Sequence, residues 1–238
     1  MIASTGPFNA SIDMAAVEER GLHVGTTGGT IASTVELTWA LILAAVRNLP
    51  AEIAAMRNGQ WQTSVGHELS GRVLGVLGLG HIGKRVAKVG LAFGMDVIAW
   101  SQNLTGETAA DVGARLASKE EFFSTADVLT IHLKLSDRSR GTVSAEELAL
   151  MKPTALLVNT SRGPIVDEEA LIDALKSKRI GGAALDVFDT EPLPAGHPLR
   201  TLDNVLATPH IGYVADRPYR IFFRDAVNAI SRWLDDQS

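Results

Sequence analysis

Val73-Leu74-Gly75-Val76-Leu77 runs straight into Gly78-Leu79-Gly80-His81-Ile82-Gly83, and from Ile82 to Phe93 apolar residues recur at helical spacing. A short apolar strand, a turn of pattern G-x-G-x-x-G and a following helix make the opening of a βαβ unit. Each glycine has its own task in such a turn. Gly78 permits the tight reversal, Gly80 lets the backbone approach a pyrophosphate, and Gly83 lets the helix sit close on the strand. The helix N-terminus then aims its unbonded amides at the anion. Alone the pattern is weak; between a strand and a helix it predicts a dinucleotide site.

Working outward, strand-length apolar runs alternate with helical stretches. Further strands are expected at Asp96–Trp100, Asp127–Ile131, Ala155–Val158, Gly182–Asp186 and Asn204–Ala207, which makes six with Val73–Leu77. Strands that are apolar on both faces and separated by helices imply a parallel sheet covered on both sides. The fold class is therefore α/β, a doubly wound parallel sheet of Rossmann type. Outside this block, residues 1–25 read as strand, helix and strand, with the helix over 12–20 closed by Gly21. Residues 31–57 read as one long helix, apolar at Val35, Leu37, Leu41, Ile42 and Val46. Ala215–Trp233 reads as another.

Composition narrows the function classes. A net charge of -5, with no basic face, argues against a nucleic-acid partner. The sequence has no cysteine, so disulfides, thiolate metal sites and a cysteine nucleophile are excluded, and a reducing cytoplasm is the expected location. No metal site is expected. The longest apolar run, Leu37–Val46, is too short to span a bilayer, and no basic region precedes an apolar one at the N-terminus. A membrane partner is not expected.

Where the second strand ends, at Trp100-Ser101-Gln102-Asn103, no carboxylate stands ready to grip ribose hydroxyls. Ser101 and Gln102 are the candidates there. The missing carboxylate favours NADP over NAD, yet no arginine follows immediately to attract a 2′-phosphate, and a plain polar turn fits the same residues. Three stretches lie after later strands, where ligands bind in open α/β sheets: Asn159-Thr160-Ser161-Arg162-Gly163, Asp186-Val187-Phe188-Asp189-Thr190-Glu191-Pro192 and Thr208-Pro209-His210-Ile211-Gly212. They offer an arginine, a glutamate and a histidine. A guanidinium can hold a carboxylate by two parallel hydrogen bonds. An imidazole exchanges a proton near neutral pH, and a neighbouring carboxylate fixes its tautomer. Hydride transfer to a 2-oxo acid needs those types.

The glycine turn, N-T-S-R-G, D-V-F-D-T-E-P and T-P-H-I-G occur here in the order found in the D-isomer-specific 2-hydroxyacid dehydrogenases, and the chain resembles that family along essentially its whole length. The resemblance implies hydride transfer between NAD or NADP and a small 2-oxo or 2-hydroxy acid. It implies Arg162 as the substrate-orienting arginine, His210 as acid/base and Glu191 as its partner. It adds His81, Ile82, His132, Thr160 and Asp186 to the cofactor contacts, Asp186 meeting the nicotinamide carboxamide. A related corepressor group uses the same fold to sense dinucleotide, so a weakly active or inactive binding module is the competing class.

Members of that family carry a smaller, flavodoxin-like substrate domain. Residues 1–28 resemble only its last part, including an S-x-G turn whose Thr5 and Gly6 amides would meet the substrate carboxylate. Residues 29–212 are then the dinucleotide-binding domain, and 213–238 a helix returning to the substrate-domain side. The earlier part of that domain is absent, so a truncated chain with impaired activity is expected. The helix over 31–57 carries Leu37, Trp39, Leu41, Ile42 and Leu43, more apolar surface than one face can bury. With the family pattern, this predicts a homodimer centred on that helix.

Overall fold

A computed structural model of the chain describes residues 1–6, 9 and 12–236. It divides into two compact units, Met1–Ser33 with the segment from Tyr213 onward, and Thr34–Gly212.

In the first unit, β1 (Ile2–Ser4) and β2 (Val24–Thr26) pair in parallel, with α1 (Met14–Glu19) between them in sequence. Asp13 caps α1 by accepting from the Ala16 amide. The unit closes with α9 (Asp216–Asp235), which lies against both strands. Gly25 marks the closest approach. A Cβ there would come within 2.9 Å of Ala229 Cβ. Asp225 of α9 accepts from the Gly28 amide at 2.9 Å, and that bond, then the one from Arg224, holds its carboxyl below the usual range.

The second unit is a sheet of seven parallel strands in the order β5-β4-β3-β6-β7-β8-β9. These are β3 (Val73–Leu77), β4 (Asp96–Trp100), β5 (Arg115–Leu116), β6 (Val128–Ile131), β7 (Leu156–Asn159), β8 (Gly182–Leu185) and β9 (Val205–Ala207). The chain steps one way from β3 to β5, then returns to the other side of β3 and steps away through β9. That reversal sets a topological switch point between β3 and β6, where open α/β sheets bind ligands. Alternation within each strand feeds two cores. Leu74, Val76, Val97, Ala99 and Val158 face one, while Leu77, Ile98, Leu129, Ile131 and Leu157 face the other. Gly75 makes room for Phe122, whose ring carbon would lie 3.1 Å from a Cβ there.

Helices cover both faces: α2 (Ala32–Val46), α3 (Leu49–Arg57), α4 (His81–Ala92), α5 (Gly106–Ala110), α6 (Lys119–Thr125), α7 (Ala145–Leu150) and α8 (Glu168–Lys176). The doubly wound parallel fold stands as expected, with one strand more. β5 is two exposed residues long at the sheet edge, too short to leave a period in the sequence.

The expected helix over 31–57 is corrected. It is two helices, α2 and α3, bent by 62°. Asn48 is left-handed at φ 51°, and Pro50 stands in the first turn of α3. Proline has no amide to continue α2 but suits a helix start. The burial argument changes too. Trp39, Leu41 and Ile42, expected at a subunit interface, are buried inside this unit. Within and just after the expected helix, the exposed large apolar residues are Leu49, Ile53 and Met56 of α3, then Trp61 and Val65. Among the described residues no single helix is long and apolar enough to cross a membrane.

Candidate active site on the dinucleotide-binding unit

The glycine turn follows β3 at the switch point. Gly78 sits at φ 93°, a conformation side chains rarely adopt. Its amide donates to the Trp100 carbonyl (3.0 Å), which ties the turn to the end of β4. A Cβ on Gly78 would lie 3.0 Å from the His132 carbonyl, and one on Gly83 only 2.1 Å from the Gly78 carbonyl oxygen. Gly80 is different. Its φ of -78° suits any residue, and a Cβ there would meet nothing within 4 Å. Helix α4 begins there with no side-chain cap and no acidic residue in its first turn. Amides without an anionic cap, the positive end of a twelve-residue helix, and room above the middle glycine fit a pyrophosphate. His81, exposed, and Ile82, half-buried, open the same helix.

At the end of β4, Ser101 lines a cavity in which Gln102 meets a residue that no sequence motif connects with it. Arg138, from the loop after β6, donates Nε (3.2 Å) and Nη2 (2.9 Å) to Gln102 Oε1. In return Gln102 Nε2 donates to the Arg138 carbonyl (3.2 Å). On the other side of the switch point, His132 Nε2 lies 2.9 Å from Thr130 Oγ1. The residue is half-buried, and burial pushes its pKa down to about 3. The imidazole is therefore neutral.

The loop after β7 is braced from within. Buried Asn159 accepts from the Ser161 amide (3.0 Å) and donates to the Arg162 carbonyl (2.9 Å). Ser161 Oγ donates to the Leu133 carbonyl. Thr160 is tied to α2, its hydroxyl 2.8 Å from that of Thr38. Arg162 itself is exposed, its Nη1 donating to the Ser161 carbonyl (2.6 Å), and no carboxylate among the described residues forms an ion pair with it. The next residue fixes the neighbouring loop. A Cβ on Gly163 would lie 2.1 Å from the Phe188 carbonyl carbon.

That neighbouring loop carries Asp186 and Glu191. Asp186 is 1% exposed, and its Oδ1 accepts from Thr208 Oγ1 (2.6 Å) and the Ile211 amide (2.8 Å). Its Oδ2 accepts from the Gly212 amide (2.8 Å). The bonded residues flank His210, which is held left-handed at φ 53°. Such a backbone costs of order 1 kcal/mol and persists only where its surroundings enforce it. Here Asp186 enforces it. Glu191 Oε1 accepts from the Phe188 amide (3.0 Å), and its Oε2 lies 2.6 Å from His210 Nδ1. The carboxylate is thus anchored on one side and orients the imidazole on the other.

Arg162, Glu191 and His210 thus stand on three consecutive, mutually bonded loops at the carboxyl ends of β7, β8 and β9. Thr5 and Gly6 lie in the first unit, where the Gly6 amide donates to Thr27 Oγ1 (2.7 Å). Sequence reasoning missed Asn159, Thr38 and Arg138 as supports. Asn159 stood within a quoted motif, but Thr38 and Arg138 act across 122 and 36 residues and leave no local signal. An open groove of about 780 Å³ lined by residues of α7 and α8 touches none of these residues. No three His, Asp or Glu side chains among the described residues are placed to hold a metal.

Residues 39–212 match the D-isomer specific 2-hydroxyacid dehydrogenase, NAD binding domain, family model. The chain belongs to this family. It is 43% identical over 210 residues to a glyoxylate reductase of Aeropyrum pernix, covering 84% of this chain and 63% of that one. A phosphoglycerate oxidoreductase structure from Vibrio cholerae superposes with a TM-score of 0.93 at 40% identity, over 97% of this chain and 75% of that one. A D-lactate dehydrogenase from Aquifex aeolicus, solved with NAD and lactic acid, has a TM-score of 0.84 at 27% identity, over 99% and 77%. The chain therefore spans less than two thirds of the Aeropyrum reductase.

Proposed function

We propose that this family member carries the cofactor-binding and proton-transferring part of an NAD(P)-dependent reductase of small 2-oxo acids, run in reverse as a D-2-hydroxyacid dehydrogenase. The observation that carries it is the His210–Glu191 pair, anchored through Phe188 on the sheet that also holds the glycine turn. When bound, the nicotinamide supplies or accepts the hydride. Gly78, Gly80 and Gly83, with the α4 amides of His81 and Ile82, bind the pyrophosphate. Ser101 and Gln102 lie on the ribose side, and His132, Thr160 and Asp186 border the nicotinamide side. Arg162, with no counter-ion among the described residues, holds the substrate carboxylate and fixes which face of the carbonyl is presented. His210 gives a proton to the carbonyl oxygen as it becomes a hydroxyl, while Glu191 on Nδ1 stabilises the charged ring. The likeness to the reductase of Aeropyrum and to the dehydrogenase solved with NAD and lactic acid supports this substrate class.

NADP is the favoured dinucleotide, because no carboxylate stands at the end of β4. We also propose a homodimer, its centre narrowed from residues 31–57 to the exposed apolar residues of α3. The deciding experiment follows reduced-nicotinamide absorbance with glyoxylate, hydroxypyruvate and phenylpyruvate, using each cofactor. Turnover of at least one substrate is expected. Tight cofactor binding with no turnover would instead place the chain among dinucleotide-sensing modules.

A further inference from the structure

Gly78 donates its amide to Trp100, so the residues just after Trp100 lie beside the pyrophosphate cradle. A cavity of about 180 Å³ opens there, lined by Ser101, Gln102, Asn103, Lys134 and Arg138 among others, and no carboxylate lines it. Gripping the two hydroxyls of an adenosine ribose calls for an acceptor such as a carboxylate. This cavity offers the opposite charge. Neither Lys134 nor Arg138 is in an ion pair among the described residues, although the chain as a whole carries -5.

The Arg138 guanidinium is also held in place. Its Nε and Nη2 are engaged by Gln102 Oε1, and Nη2 also reaches Asn103 Oδ1 at 3.4 Å. Nη1 makes no bond to the described residues, so its two hydrogens are available to an incoming anion. A cation whose rotamer is already fixed loses little freedom on binding. Two cations at the ribose end of the cradle match a dianionic phosphate and not a bare hydroxyl.

We propose that Arg138, positioned by Gln102 and assisted by Lys134, binds the adenosine 2′-phosphate and makes this chain selective for NADP(H). The residue comes from the loop after β6 and not from the end of β4. The proposal rests on the reading of Gly78–Gly83 as the pyrophosphate cradle.

Calorimetric titration with 2′,5′-ADP and 5′-ADP tests it without turnover, followed by NADPH and NADH on the same protein. The wild-type chain is expected to bind 2′,5′-ADP at least about tenfold tighter than 5′-ADP, a ratio of the size charge-assisted bonds give. Arg138→Ala should bring the two affinities together while leaving 5′-ADP unchanged; Lys134→Ala should reduce the ratio less. Equal affinities in the wild type, or a ratio that survives Arg138→Ala, would overturn the role of Arg138 and leave the cradle standing. If no nucleotide or dinucleotide binds, the cradle reading itself fails and Arg138 falls with it.

Discussion

Thr38 in α2 and Thr160 in the loop after β7 share a hydroxyl–hydroxyl bond of 2.8 Å, and both residues are buried. Thr38 Oγ1 also lies 2.7 Å from the Thr34 carbonyl, to which it donates, so it accepts from Thr160. One turn earlier, Thr34 Oγ1 donates to the Gly212 carbonyl (3.2 Å). Helix α2 thus holds two of the loops that carry Arg162 and His210, one by each threonine.

Thr38→Val keeps the shape and removes the acceptor, leaving the Thr160 hydroxyl buried and unsatisfied. A loss of roughly 1–3 kcal/mol of stability is expected. Thr38→Val with Thr160→Val should cost less than the sum of the two single changes, since neither hydroxyl is then left alone. Chemical denaturation of the four proteins measures this. Strict additivity would show that the pair is not coupled.

The glycines after β3 and β7 separate two kinds of damage. Gly80→Val places a branched side chain where the structure has open space and a φ any residue tolerates, so the fold should survive. Affinity for both dinucleotides should fall by about a hundredfold or more, the equivalent of some 3 kcal/mol. Gly163→Ala should do the reverse. Its Cβ would strike the Phe188 backbone at 2.1 Å, so stability and turnover fall together. Calorimetry and thermal melts on both variants distinguish them, and a folded Gly80→Val chain with intact affinity would remove the pyrophosphate site.

His210→Ala should lower kcat by at least about a hundredfold while cofactor affinity barely moves, because a general acid contributes mainly in the transition state. Glu191→Gln keeps the length and the Phe188 contact but not the charge. It should lower kcat by a smaller factor, with KM little changed. Equal kcat for wild type and His210→Ala would remove the acid/base assignment.

Two groups with large shifts contribute to the acid limit of the fold. His132 has a folded pKa of about 3, driven down by burial, against an ordinary 6.5. Between those values the unfolded chain takes a proton that the folded chain refuses, so stability falls as pH drops through that window. Burial alone would raise Glu147, but Lys119 (2.6 Å), the Ser144 hydroxyl and the Ser144 amide outweigh it and bring its pKa to about 2 from 4.5. Its contribution is complete above 4.5 and is lost as pH falls toward 2. Thermal melts across pH should therefore show loss beginning near 6.5 and steepening below 4.5. His132→Gln should flatten the first part only. An unchanged upper limb would show that His132 titrates normally.

The parallel sheet was legible because its strands are buried on both faces, so the runs around Val76, Val97 and Leu157 are apolar without interruption. The placing of Arg162, Glu191 and His210 on successive loops was legible for another reason: each follows a strand within a short, chemically dense motif. What stayed hidden depends on partners distant in sequence. Arg138 reads as one charge among several until the fold lays it on Gln102. The break between α2 and α3 was readable in Asn48-Leu49-Pro50, but the apolar content on either side masked it. The same masking sent Trp39 to a surface, because apolar residues look alike in sequence whether a sheet or another subunit covers them.

The burial of Trp39, Leu41 and Ile42 narrows the proposed association surface to the α3 part of residues 31–57. Leu49, Ile53 and Met56 stand at i, i+4 and i+7 on α3, a single helical stripe, and all three are exposed. Glu52 accepts from Thr63 Oγ1 (2.8 Å) and Ser64 Oγ (2.6 Å), which folds the following segment back along the helix. That segment brings Trp61, 74% exposed, and Val65, 90% exposed. An apolar stripe with an exposed tryptophan beside it is more than scattered surface apolarity explains. One patch of this kind can meet its own copy across a two-fold axis, the commonest route to a homodimer. A stable pair needs about 800 Å² from each subunit, within reach of a two-turn helix and its return segment. Light scattering at low micromolar concentration should give twice the 25.3 kDa chain mass. Ile53→Asp with Met56→Asp should reduce it to the single chain while the circular dichroism spectrum is unchanged. A wild-type protein that scatters only as 25.3 kDa would end the proposal, and a dimer indifferent to both substitutions would move its interface elsewhere.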